Sequence, residues 1–106
     1  VMTERLDGLG GDELRQAAVA LREKAPCAAG LLCSVTEGKV FLVGFASDEA
    51  VKAKNIDAGK LVREAAACVR GGGGGKPELA TAGGKEPAEI GKAIETFAAS
   101  VRALLA

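Results

Sequence analysis

Residues 27–46, CAAGLLCSVTEGKVFLVGFA, decide the fold. Cys27 to Thr36 is mostly apolar, and Lys39 to Ala46 carries Val40, Phe41, Leu42, Val43 and Phe45. Both runs are too short for buried helices and rich enough in β-branched and aromatic residues to be strands. Glu37-Gly38 between them is a tight-turn signal, so the pair reads as a β-hairpin. Neither strand alternates cleanly between apolar and polar residues, which implies that both faces of the hairpin are covered.

The segments on either side supply the covering layers. Upstream, Val1 to Leu6 reads as a short first strand, and Gly8, Gly10 and Gly11 make a turn. Asp12 is placed to cap a helix ending near Lys24, ahead of Pro26. Leu14, Ala17, Ala18 and Leu21 recur at the spacing of one face of that helix. Downstream, Ser47 to Asn55 is a polar connection, and Asp57 caps a second helix running to about Arg70. Leu61, Val62, Ala65, Cys68 and Val69 share one arc of this helix, while Lys60, Arg63 and Arg70 share another. A glycine run, Gly71 to Gly75, follows as a loop. Glu78 to Ala82 is a short strand, Gly83-Gly84-Lys85 a second turn, and Pro87 opens a last helix. Ile90, Ala93, Ile94, Phe97, Val101, Leu104 and Leu105 give that helix an apolar stripe. The expected order is β-α-β-β-α-β-α. It describes an α/β fold of two or three layers around a small mixed sheet with one hairpin. Residues 1–106 make one globular domain. The chain starts at Val1 rather than at Met, which suggests a fragment of something longer.

Composition narrows the chemistry. The chain has no His, Trp or Tyr, and three Phe. Imidazole-based triads and Cys₂His₂ zinc sites are excluded, and aromatic platforms for single-stranded bases are nearly so. Cys27, Cys33 and Cys68 are odd in number and lack CxxC spacing. They read as small apolar residues of a protein from a reducing compartment rather than as metal ligands. No apolar run reaches the roughly 20 residues of a membrane span. A cytoplasmic domain without a cofactor is expected.

The formal net charge is zero, with 14 basic and 14 acidic side chains, but it is unevenly spread. Residues 1–51 sum to −3 and residues 52–106 to +3; residues 52–85 alone sum to +4. That excess surrounds the glycines. A Walker A reading of the run fails, because position 70 is Arg70 and Gly75-Lys76 is followed by Pro77. A GxGxxG reading fails because position 76 is Lys76 and the run follows a helix. Two readings stay open. One is contact with a polynucleotide backbone, in which bare N–H groups approach phosphate amid Lys60, Arg63, Arg70, Lys76 and Lys85. The other is a flexible surface loop with nothing bound.

The stretch from 55 to 85, NIDAGKLVREAAACVRGGGGGKPELATAGGK, carries a resemblance. Its Ala58-Gly59-Lys60-Leu61-Val62 helix start, its five glycines, Lys76-Pro77-Glu78 and Ala80-Thr81-Ala82-Gly83-Gly84 resemble the C-terminal domains of alanyl-tRNA synthetases. Those domains belong to the accessory-domain family attached to DHH-type phosphoesterases. Thr81 stands where Gln is common in that pattern, and Lys76 where Arg is frequent, so the planar guanidinium fork is absent at 76. The resemblance implies a non-catalytic module that contacts the outer corner of tRNA (tRNA-Ala) and assists aminoacylation and editing, chemistry carried by other domains of the parent chain. The implied tRNA-binding residues are Lys60, Arg63, Arg70, Gly71, Gly72, Gly73, Gly74, Gly75, Lys76, Gly83, Gly84 and Lys85. Two alternatives are a substrate-strand-holding domain of a DHH-type phosphoesterase and a dimerisation module that makes a homodimer through the last helix.

Overall fold

The computed structural model describes residues 2–5, 7–8, 10–24, 29–47, 51–52, 56–75 and 78–105. The hairpin predicted from 27–46 is the centre of a five-stranded mixed sheet. Strand β2 (Ala29–Thr36) pairs antiparallel with β3 (Lys39–Ala46), with Thr36 opposite Lys39. Glu37 and Gly38 both have positive φ, 52° and 77°. This is the type I′ geometry whose twist matches the flanking strands. Strand β1 (Met2–Arg5) lies parallel to β2 at one edge. Asp7 ties the chain after it to β2: its Oδ1 accepts from the Val35 amide at 3.2 Å and pairs with the Arg5 guanidinium at 2.9 Å.

Helix α1 (Gly11–Lys24) covers one face of the sheet. Leu14 and Ala18 are buried against Leu32, Val43 and Phe45. The helix begins two residues earlier than expected, so Asp12 sits inside its first turn instead of capping it. The Leu14 amide donates to the Gly10 carbonyl at 3.0 Å. A carboxylate in that turn still favours the helix through its dipole.

Helix α2 (Ala58–Cys68) and helix α3 (Ile90–Leu105) cover the other face. Asp57 caps α2 as predicted, its side chain accepting from the Lys60 amide at 3.3 Å. Leu61, Val62 and Ala65 of α2 and Ala93, Phe97 and Val101 of α3 bury against Leu31, Cys33 and Leu42. A 3-10 turn, Pro87–Glu89, leads into α3. The apolar stripe of α3 is therefore largely spent on its own core, with Leu104 at the exposed end. The layers are α1, sheet, then α2 with α3, the three-layer form of the expected α/β fold.

One element departs from the expected order. The glycines are not a loop: Gly72–Gly75 forms strand β4, antiparallel to β5 (Leu79–Gly84). The sheet order is β1-β2-β3-β5-β4, so the glycine strand is an edge. Gly83 and Gly84, expected as a turn, are the last two residues of β5 and pair with Phe41 and Val40 of β3. Close approach explains the composition. A Cβ on Gly73 would run into the Thr81 carbonyl oxygen, and one on Gly75 would lie 2.9 Å from the Leu79 carbonyl oxygen. Glycine normally weakens a strand; here the geometry excludes a side chain at Gly73 and Gly75.

Candidate nucleic-acid interface

The backbone of β4 is nearly bare. Gly72, Gly73 and Gly75 are exposed, and a Cβ added to Gly72 would meet nothing within 4 Å. As an edge strand, β4 leaves the peptide groups on its outer side without a strand partner. The feature is ordered backbone held by hydrogen bonds to β5, with no side chain to keep a ligand away.

The expected cations divide into separate groups around it. Helix α2 stops at Cys68, with Val69 as its C-cap, so Arg70 does not continue the face of Lys60 and Arg63. Arg70 has φ of 54°. Its amide donates to the Ala67 carbonyl at 3.4 Å, and the Gly71 amide donates to the Ala66 carbonyl at 2.9 Å. This is a Schellman closure with arginine in the left-handed position that glycine usually takes. The guanidinium pairs with Glu86 at 3.3 Å.

Arg63 lies at the other end of β4, its Nη2 3.3 Å from where a Cβ of Gly74 would stand. Lys85 follows β5, and its amide donates to the Val69 carbonyl at 2.8 Å, which brings it beside Arg70. These two, with Gly71, Gly72, Gly83 and Gly84, line a shallow depression of about 400 Å³, which Lys39 also lines. Lys60 is set apart from the glycines. It lines a depression of about 250 Å³ between α2 and α3 with Asp57, Glu64, Ser100 and Leu104. Lys76 lies outside the described residues. Of the expected site, the structure thus joins Arg63, Arg70, Gly71–Gly75, Gly83, Gly84 and Lys85, and separates Lys60 from them.

Sequence reasoning missed two residues near the strand. Arg15 of α1 projects into a groove of about 420 Å³ that also touches Gly72, Thr81 and Gly83. Its distance in sequence hides this, since only the sheet order carries β5 and β4 past the edge of α1. Lys39 was visible as the residue after the hairpin turn, but its neighbourhood depends on the β3–β5 register. Arg22 lines a second groove, of about 430 Å³, with Arg15, Gly74 and Gly75, and its Nε donates to the Ala46 carbonyl at 2.8 Å.

The cysteines do not make a reactive centre here. Cys33 is fully buried, and burial pushes its thiol pKa up to about 11. Cys68 is half-buried, its Sγ 3.5 Å from Thr96 Oγ1. Cys27 lies outside the described residues. Among the described residues, no three His, Cys, Asp or Glu side chains converge in a way that could hold a metal ion, and no helix is long and apolar enough to cross a membrane.

The chain is similar to known proteins over nearly its whole length. The DHHA1 domain family matches residues 1–103. An alanine–tRNA ligase of Chlorobaculum tepidum is 75% identical over 105 residues, 99% of this chain and 12% of that protein. An alanine–tRNA ligase of Geobacillus kaustophilus is 41% identical over 104 residues, 95% of this chain and 12% of that protein. The chain thus spans about an eighth of the length of these relatives. Among solved structures, the C-Ala domain from Aquifex aeolicus alanyl-tRNA synthetase superposes with a TM-score of 0.82 at 25% identity, covering 94% of this chain and 88% of that one.

Proposed function

This chain belongs to the DHHA1 domain family, and on that premise we propose that it is the accessory, non-catalytic tRNA-binding domain of an alanine–tRNA ligase. The observation that carries the reading is the 75% identity to the Chlorobaculum tepidum ligase over 99% of this chain. The same relationship favours a synthetase over a DHH-type phosphoesterase as the parent. The chemistry of attaching and editing alanine belongs to other domains of such a parent, and this domain contributes substrate binding in the cytoplasm.

Binding rests on the edge strand Gly72–Gly75 and the cations at its two ends. Bare backbone admits a sugar–phosphate chain to within hydrogen-bonding distance, and Arg63 at one end with Arg70 and Lys85 at the other supply the charge. The shortage of aromatics directs contact to phosphate and ribose instead of stacked bases. Few phosphates are engaged, so the isolated domain binds weakly, and tethering to the parent raises the effective concentration. Through that tethering the domain assists aminoacylation and editing on one bound tRNA.

The test is a titration of this chain with tRNA-Ala at two salt concentrations. Affinity falls with salt, and the double reversal Arg63→Glu, Arg70→Glu abolishes binding while Lys60→Glu weakens it far less. Binding that ignores both salt and the double reversal rejects the electrostatic interface.

A further inference from the structure

We infer that Lys39 completes a phosphate subsite with Arg70 and Lys85 at the hairpin end of the sheet, and that its ligand is a backbone phosphate of the bound RNA. This rests on the tRNA-binding reading and adds to it a residue and a place.

Three elements bring the cations together. Val40 of β3 pairs with Gly84 of β5 in antiparallel register. Lys39 precedes Val40 and Lys85 follows Gly84, so the two lysines flank the same end of this strand pair. Arg70 joins them because the Val69 carbonyl accepts from both the Lys85 amide, at 2.8 Å, and the Glu86 amide, at 3.0 Å. All three cations line one depression, whose other lining is glycine backbone.

The arrangement is unfavourable without an anion. Like charges brought to one depression repel, and neither lysine has an ion-pair partner among the described residues. Glu86 pairs with Arg70, and Glu37, exposed in the hairpin turn, is the other nearby carboxylate in sequence. Arg70 is additionally held in a left-handed conformation that costs a side-chain-bearing residue energy, directly before five glycines, any of which suits that conformation better. Two local costs at one spot, both removed by simple substitutions, point to a retained use for the charges. A phosphate accepts from all three side chains at once and relieves the repulsion between the lysines.

The test measures tRNA-Ala affinity at two or more salt concentrations for the unaltered chain, Lys39→Gln, Lys39→Gln with Lys85→Gln, and the distant control Arg102→Gln, with a urea unfolding curve for each. The double variant is expected to bind roughly tenfold more weakly at low salt, with the slope of log K against log salt shallower by up to about 0.9, the contribution of one phosphate. Its unfolding midpoint stays the same or rises, and Arg102→Gln changes neither. An unchanged slope in the double variant, with binding intact in the unaltered chain, overturns this subsite alone. Absence of binding by the unaltered chain overturns the tRNA reading and the subsite with it. A lowered unfolding midpoint in both lysine variants makes the lysines structural and also overturns the subsite.

Discussion

Gly59 of α2 packs directly against Gly75 of β4: a Cβ on Gly59 would lie 2.7 Å from the Gly75 carbonyl oxygen. That oxygen belongs to the backbone and cannot swing away, and the Asp57 Oδ1 that caps the helix would lie 3.2 Å from the same Cβ. Alanine in a helix is worth about 1 kcal/mol over glycine, and the overpacking here costs about 1–3 kcal/mol. Gly59→Ala is therefore expected to destabilise the domain by about 1 kcal/mol and to loosen β4 from its helix support. Urea unfolding reads the first effect, and faster amide exchange at Gly73 and Gly75 reads the second.

Gly72 is the counterpart. Nothing stands within 4 Å of a Cβ built there, and its φ is not in the left-handed range. Gly72→Val is expected to leave stability within about 0.5 kcal/mol, as for surface substitutions generally. The isopropyl group would nevertheless stand on the bare strand where the RNA backbone is proposed to approach. A loss of tRNA affinity of tenfold or more with an unchanged unfolding curve is the expected outcome. Unchanged affinity rejects close backbone contact at β4.

Legibility in the sequence followed the side chains. The hairpin was readable because Leu31, Leu32, Val40, Leu42, Val43 and Phe45 signal strands and Glu37-Gly38 signals the turn between them. The Asp57 cap and the buried stripe of α3 were readable for the same reason. Gly72–Gly75 reads as a loop because strand propensity is mostly a statement about side-chain packing, and glycine has none. What makes β4 a strand is the approach of β5 on one side and α2 beneath, both long-range. The basic residues were legible as types and misread as a stripe, since a periodicity argument cannot tell that α2 closes at Val69 and turns Arg70 out of its helical phase. Lys39 and Arg15 needed the register of β3 with β5 and the overhang of β4 beyond α1, neither of which has a local signal.

Cys33 makes stability depend on pH in the alkaline range. Its thiol, buried beneath α2 and α3, has a pKa raised to about 11, while an unfolded thiol titrates near about 8.5. The folded state therefore keeps its proton where the unfolded state loses it. Stability is fully present below about pH 8.5 and declines as pH rises toward 11. Cys33→Ala removes this contribution at the expense of a small cavity. Urea midpoints at pH 8 and pH 10 should fall with pH in the unaltered chain and fall less in the variant. Native Cys33 should also resist alkylation at pH 8.

Arg70 provides the sharpest separation of stability from function. Its left-handed backbone costs about 1–2 kcal/mol in a residue bearing a Cβ, and its exposed pair with Glu86 returns little of this. Glycine at 70 would remove the strain, against about 0.4–1 kcal/mol for the greater freedom of the unfolded chain. Arg70→Gly is therefore expected to stabilise the domain by about 0.5–1 kcal/mol while weakening tRNA binding and flattening its salt dependence by about one contact. Arg70→Lys keeps the charge and the strain, and should retain most of the affinity with none of the added stability. If Arg70→Gly binds tRNA as tightly as the unaltered chain, the guanidinium has no part in recognition, and its left-handed placement has no explanation in RNA binding.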